Sequence, residues 1–461
     1  MFEKNIYVSR RKKLKELVKN GLIIIMGNSE SPMSYKDNAY NFIQDSTFLY
    51  YFGLNSPDLI GVIDVETGEE YIFGKEFTLD DIVWMGQQKT FKERSEEVGI
   101  EKFKEKNELL ELIENTKKLN KKIHYTNQYR LENTIFLSEL LEINYKQINL
   151  EYSEILVESI IKMRSIKTEE EIAELERATN VTREMHIEAM KKVKPGMKEY
   201  ELVAILEYIA KKYNGTTSFH TICTINGQIL HNHCHENELK DGDLVLLDCG
   251  ARLDNGYCGD MTTVFPVSGK FSVEQKEIYS LLIAMFEKAE KCTKPGVTNK
   301  EVHLEVCKVL AEGMVKKGLL KGSVEEIVKA GAHALFFPHG LGHMIGLDVH
   351  DMENFGENKV GYDEKIERSS QFGLKSLRMG KELKPGYVLT IEPGIYFIPE
   401  LIEKWKAQEL HKEFINYDEV EKYKHFGGMR YEGDFLITEN GSRRLGNKMP
   451  KSIEEIESLM K

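Results

Sequence analysis

Leu239-Lys240-Asp241-Gly242-Asp243-Leu244-Val245-Leu246-Leu247-Asp248-Cys249-Gly250 is answered 144 residues later by Leu383-Lys384-Pro385-Gly386-Tyr387-Val388-Leu389-Thr390-Ile391-Glu392-Pro393-Gly394. Each copy is a turn, then an unbroken apolar run, then a carboxylate just before a glycine, the pattern of a buried strand that delivers an acid at its end. The segments that follow echo as well: Gly256, Asp260 and Gly269 align with Gly428, Glu432 and Gly441 at a constant 172 residues. Short apolar runs ending in glycine recur by chance, but two ordered acid pairs in the same order point to a duplicated unit.

Two helices frame the first copy. The capping box Thr168-Glu169-Glu170-Glu171 opens one, with Ile172, Leu175, Ala178, Thr182, Met185 and Ala189 on a single stripe and a stop at Lys194-Pro195-Gly196. The other opens near Ser272, with Gln275 three residues on, and stops at Lys294-Pro295-Gly296. Ahead of them, apolar segments alternate with turns at Gly21 to Gly27, Thr47 to Phe52 and Leu59 to Asp64, and again at Tyr71-Ile72-Phe73. This predicts an α/β fold class, with a mixed α/β domain over residues 1–155 and the duplicated domain over 156–461. The basic residues Arg10, Arg11, Lys12, Lys13 and Lys15 interleave with Leu14, Leu17, Val18 and Leu22 at helical spacing and read as a solvated helix face.

The 461 residues are 41% hydrophobic and 30% charged, a globular balance that excludes a wholly disordered chain and a membrane bundle. The apolar run Leu22 to Met26 falls far short of the roughly 20 residues a spanning helix needs. Met1-Phe2-Glu3-Lys4 lacks the basic and apolar pattern of a secretory signal, so the expected location is the cytoplasm. Acidic residues outnumber basic ones 75 to 63, and the net charge of -12 argues against nucleic acid as principal partner. The six cysteines contain no C-x-x-C and read as buried free thiols.

Asp248 and Asp260 bracket the turn Asp254-Asn255-Gly256. A hairpin with Asp248 opposite Asp260 would aim both carboxylates at one spot, about 5 Å apart. A lone pair of this kind would be read as two turn-flanking aspartates. Glu392 and Glu432 change that weighing, because at the corresponding strand ends they should meet the aspartates across the pseudo-symmetry axis. Each like-charge pair at about 4 Å and an effective dielectric of about 20 costs on the order of 4 kcal/mol, which a marginally stable domain cannot absorb four acids deep. A pair of divalent cations resolves the conflict, and oxygen-rich ligation favours manganese, magnesium or cobalt over a structural zinc.

His339, His343 and His350 fall within twelve residues, between the two acid pairs. No glutamate follows His339, and Gly340 and Gly342 disfavour a helix, so this is not the zinc helix of metalloproteases. Gly340, Gly342 and Gly346 are one residue too widely spaced for a dinucleotide loop. Taken singly, each of these histidines reads as a core or supporting residue. In His231-Asn232-His233-Cys234-His235 the first histidine ends the apolar pair Ile229-Leu230 and is the best placed to reach a pocket, while Cys249 and Cys258 read as small packing residues.

At these residues the sequence resembles the proline-specific metallopeptidases of the pita-bread fold, aminopeptidase P and prolidase. The match runs over Leu244 to Gly250, Gly256 to Gly269, His339 to Asp351, Leu383 to Tyr396 and Gly427 to Thr438. The resemblance implies a pseudo-two-fold pita-bread (α+β) catalytic domain with five metal ligands, Asp248, Asp260, His343, Glu392 and Glu432. Asp260 and Glu432 would bridge two Mn2+ ions, Asp248 would complete one site, and His343 with Glu392 the other. A bridging hydroxide would be the nucleophile. It further implies that Glu392 takes the proton of the attacking water, that His350 and His231 hydrogen-bond substrate or its tetrahedral intermediate, and that His339 lines the proline pocket. Arg430 and Arg378 would meet carboxylates, of the supporting shell and of the substrate respectively. Asn41 to Gly53 resembles the non-catalytic domain of the same enzymes, which in relatives helps form oligomers and restricts access to the site.

Three features depart from the family pattern. Twelve positions separate the two aspartates where eleven are more common, Tyr431 and Gly433 flank Glu432 where an aliphatic residue and a second acid are usual, and the insertion from Pro399 to Phe426 is prolidase-like. The resulting expectation is a Xaa-Pro aminopeptidase acting on peptides with proline at the second position, a homo-oligomer such as a dimer, with no nucleic-acid or membrane partner. Xaa-Pro dipeptidase is the alternative, supported by the insertion and by Arg378. An inactive pita-bread binding module is the third reading, disfavoured because all five ligand positions are filled.

Overall fold

The computed structural model describes all residues from Met1 to Lys461. The chain forms two compact units, residues 1–164 with 352–356, and residues 165–351 with 357–461. The first reaches beyond position 155 because the helix Glu154–Ser165 is tied into it. The Tyr50 hydroxyl donates to Met163 O (3.5 Å), and Arg164 donates to Thr47 Oγ1 (3.0 Å).

In the first unit, β1 (Leu22–Met26), β2 (Ile60–Asp64), β3 (Glu70–Gly74), β4 (Lys102–Glu105) and β5 (Ile123–His124) form one sheet in the order β4-β3-β2-β1-β5. β1 and β2 are buried on both faces, which their unbroken apolar runs require. The stretch from Thr47 to Phe52 lies in a buried helix, Ser46–Phe52, capped by Asp45, whose side chain accepts from Thr47 N and Phe48 N.

The basic helix Lys4–Val18 corrects the sequence reading, since Arg10 and Arg11 are buried rather than solvated. Arg11 donates to Glu70 Oε2 (2.7 Å) and to the carbonyls of Tyr51 and Val98 (2.9 Å each). A guanidinium whose donors are all met by a carboxylate and main-chain oxygens can sit in a core that would reject an unpaired charge. Leu22 belongs to β1, not to this helix.

The second unit carries the duplication into three dimensions. Its helices Glu169–Lys192 and Val273–Cys292 start on the Thr168/Glu171 and Ser272/Gln275 capping boxes and end two residues before the Lys-Pro-Gly stops. After each stop the chain bonds to the turn that precedes an acid-bearing strand. Gly196 N donates to Leu239 O (2.8 Å) and Gly296 N to Leu383 O (3.0 Å); Leu239 N returns to Met197 O (2.8 Å) and Leu383 N to Val297 O (2.9 Å). The same four groups, in the same roles, open both halves.

The first half contributes β6 (Thr216–Thr217), β7 (Ile222–Thr224), β8 (Leu244–Cys249), β9 (Ala251–Arg252) and β10 (Met261–Pro266), with the sheet order β10-β8-β7. The second contributes β11 (Val388–Ile391), β12 (Gly394–Tyr396), β13 (Gly428–Arg430), β14 (Gly433–Ile437) and β15 (Ser442–Arg444), ordered β11-β14-β15 and β12-β13. The expected register of the first hairpin is corrected: Asp248 pairs with Thr262, not Asp260. The bridge Arg252↔Cys258 and the bond from Gly259 N to Ala251 O (2.9 Å) centre the hairpin on Asn255, one residue later than expected, with Gly256 supplying a φ of 93°. Asp248 and Asp260 are therefore diagonal neighbours, still on one face of the ladder.

Candidate metal centre

The four acids and His343 line one cavity of about 580 Å³. In the second half, the ladders Ile391↔Gly433 and Gly394↔Arg430 converge from either side on Glu392 and Glu432, which face each other at the junction. A main-chain bond from Glu432 N to Thr262 O (3.0 Å) joins this junction to the first hairpin. Strand alternation thus sets all four carboxylates around one space.

His343 reaches them from an irregular segment. Its Nε2 lies 3.4 Å from Asp260 Oδ2 and 4.0 Å from Glu392 Oε1, and its Nδ1 lies 3.1 Å from Met344 O. A carbonyl only accepts, so Nδ1 carries a proton and Nε2 is the ring nitrogen directed at the acids. Thr390 N donates to His343 O (2.9 Å), and His343 N donates to Thr390 Oγ1 (3.2 Å). Gly342 makes this approach possible: a Cβ there would stand 2.0 Å from Thr390 O.

One donor atom each from Asp260, His343 and Glu432 lies within 4.8 Å of the other two. Asp248 Oδ1, Asp260 Oδ1 and Glu432 Oε1 are buried with no hydrogen-bond partner. Burial first, then the neighbouring carboxylates, push the Asp260 and Glu432 pKa values well up, and burial raises that of Glu392. Orphaned, mutually repelling oxygens around an imidazole nitrogen are a donor set for hard divalent cations. The residues fit the group.

Arg430 holds this set in place. It donates to Asp248 Oδ2, to the Tyr396 hydroxyl (2.7 Å) and, through Nε, to Thr262 Oγ1 (3.1 Å). Thr262 Oγ1 in turn donates to Glu432 Oε2 (2.6 Å). The Tyr396 hydroxyl passes its own proton toward His339 Nε2 (2.8 Å), whose Nδ1 meets Gly340 O (2.8 Å). Burial, with Arg430 close by, pulls the His339 pKa down to about 3, so the ring is neutral.

The remaining expected residues lie around the same cavity. His350 packs its ring 3.9 Å from that of His343, centroid to centroid. His231 is at the rim, and so is His233, which the sequence ranked lower; the His235 ring nitrogen bonds to Thr221 O (2.9 Å) instead. Arg378 lines the wall and donates to Glu357 Oε1 (2.7 Å). Sequence reasoning missed Thr262, Thr390, Tyr396 and Asp434. Thr262 was accessible from alternation, being two residues beyond Asp260, which leads into β10. Asp434, which accepts from Thr179 Oγ1 (2.8 Å) and Asp260 N (3.2 Å), carried no signal because its partners are remote in sequence. Of the cysteines expected to be buried, Cys234 is exposed and Cys292 half-buried; the other four are enclosed.

Acids gathered by duplicated hairpins about a histidine define a metallohydrolase centre. The chain belongs to metallopeptidase family M24, whose model matches residues 173–439, and residues 7–124 match the aminopeptidase P N-terminal domain. Curated relatives include a Xaa-Pro dipeptidase of Homo sapiens, 33% identical over 451 residues, covering 95% of this chain and 88% of the relative. A Xaa-Pro aminopeptidase of Escherichia coli strain K12 is 32% identical over 464 residues, covering 98% and 96%. Among solved structures, Zn-substituted E. coli aminopeptidase P in complex with product superposes with a TM-score of 0.81 at 30% identity, over 100% of this chain and 98% of that one. The catalytic fold is the pita-bread fold, and no helix is long and apolar enough to cross a membrane.

Proposed function

We propose that this chain is a Xaa-Pro aminopeptidase, cleaving the bond between an N-terminal residue and a following proline, with two Mn2+ ions held by Asp248, Asp260, His343, Glu392 and Glu432. The observation that carries the reading is the set of buried, unpartnered oxygens of Asp248, Asp260 and Glu432 in one cavity. Bound divalent cations would supply Lewis acidity toward the scissile carbonyl and make water acidic enough to attack near neutral pH.

The chain's own residues do the rest. Glu392, less enclosed than the other acids and with a raised pKa, is poised to accept the proton of the attacking water and return it to the leaving amine. His350 and His231 face the cavity where they can hydrogen-bond the peptide as charge develops on its carbonyl. The neutral His339 ring, edge-on to Phe337 and Tyr396, offers an apolar wall suited to a proline ring. Arg430 neutralises Asp248 and, through Thr262, orients Glu432. We place the protein in the cytoplasm as a homo-oligomer such as a dimer.

A Xaa-Pro dipeptidase is the second reading, favoured by Arg378, whose guanidinium on the cavity wall could clamp a dipeptide carboxylate. Rates on Xaa-Pro and Xaa-Pro-Xaa substrates separate the two. The aminopeptidase reading expects efficient cleavage of the tripeptide, and an Arg378→Ala variant impaired no more on dipeptide than on tripeptide. Little tripeptide activity would replace it with the dipeptidase.

A further inference from the structure

Three more metal-binding side chains meet outside this centre. His303 and Cys307, four residues apart on the helix Asn299–Lys316, share one face, and His333 comes from the single turn Ala332–Leu335. One donor atom from each lies within 4.8 Å of the other two, and all three residues are buried. His303 Nε2 is 3.4 Å from Cys307 Sγ, while His303 Nδ1 and His333 Nδ1 are buried and bonded to nothing. Burial holds both imidazoles neutral, with pKa values pulled to about 3 and about 4, and pushes the thiol up. Histidines kept only for packing are expected to have their ring nitrogens satisfied.

We propose that His303, Cys307 and His333 form a separate mononuclear site for a thiophilic d10 cation, Zn2+ or Cu+. Two neutral imidazoles and a sulfur are the ligands such ions take, whereas Mn2+ and Mg2+ prefer the oxygens of the acidic centre. On binding, the Cys307 S–H bond breaks, its proton leaves to solvent, and the thiolate pair becomes a ligand without any change of oxidation state. The cation answers the thiolate charge that the core alone would disfavour. Its position gives the site a role. The Phe337 ring lies 5.2 Å from His303 and 4.8 Å from His339, so an occupied site would brace the segment that carries the cavity wall.

The test uses the intact protein and metal salts alone. Co2+ standing in for Zn2+ should give a thiolate-to-cobalt charge-transfer band whose final intensity corresponds to one cobalt per chain, whatever further Co2+ the acidic centre takes up, a signature that thiolate-free centre cannot produce. The band should persist in Asp260→Asn and Cys249→Ser and vanish in Cys307→Ser and His333→Gln, and Zn2+ should displace it. If no band forms but one Cu+ is retained against a competing chelator, and is lost in Cys307→Ser, the occupant is copper. Absence of both signals, or a signal that survives both Cys307→Ser and His333→Gln, overturns the site. Because Asp260→Asn disables only the acidic centre, failure of this proposal is distinguishable from failure of the peptidase reading.

Discussion

Thr262→Val is the sharpest probe of how the acidic centre is held. Valine keeps the shape and the strand preference of the residue but removes the hydroxyl that donates to Glu432 and accepts from Arg430. Thr262 is completely buried, so no water replaces those bonds. Two bonds to charged partners at about 1.5 kcal/mol each put the loss at about 3 kcal/mol, and the loosened Glu432 should lower kcat/KM by roughly ten- to a hundred-fold. The chain has two tryptophans. With Trp84 replaced by Phe, the buried Trp405 reports unfolding of the catalytic unit in urea. The midpoint should fall by about 1 M at a slope of about 3 kcal/mol/M, and Thr262→Ser should restore both stability and rate. A valine variant within 1 kcal/mol of the parent, or a serine variant as impaired as valine, would refute the reasoning.

Stripping metal should cost more stability at pH 7 than at pH 4. Asp260, Glu392 and Glu432 have folded-state pKa values above their unfolded ones, and Asp434 is raised to about 7, so these four acids bind more protons in the native state and favour it at low pH, while the buried His186, His303, His333 and His339, pulled down to about 3 or 4, act in the opposite direction. The histidine contribution is common to chelated and Mn2+-loaded protein, so the gain in melting temperature on adding Mn2+ should grow from pH 4 to 7 as the acids lose their protons; a gain equal at both ends contradicts the burial of these acids. Gly342→Ala should displace Thr390 or His343, since the added Cβ meets Thr390 O at 2.0 Å. Loss of Mn2+ affinity by tenfold or more in metal titrations is expected, and unchanged affinity would show that the segment has slack.

The legible parts of this protein were those that local pattern carries. Acid before glycine at the end of an apolar run located the four carboxylates, and the Thr168 and Ser272 caps opened their helices where the sequence placed them. Register was harder, because a hairpin centred on Asn255 instead of Asp254 differs by a turn geometry that Asp-Asn-Gly composition does not specify. The Arg10 and Arg11 burial could not be read at all, since Tyr50 O, which accepts from Arg10, and Glu70, Tyr51 and Val98, which accept from Arg11, come together only in the folded unit. The same limit hid Tyr396 and Asp434.

The central claim is that paired acids from two related hairpins exist to hold two divalent cations, and metal analysis with activity tests it most directly. Protein equilibrated with Mn2+ should carry two per chain and hydrolyse Xaa-Pro-Xaa peptides, while Asp260→Asn should bind fewer than two and lose that activity. Full hydrolysis by metal-free protein, or an Asp260→Asn variant that keeps both ions and its rate, would contradict the account.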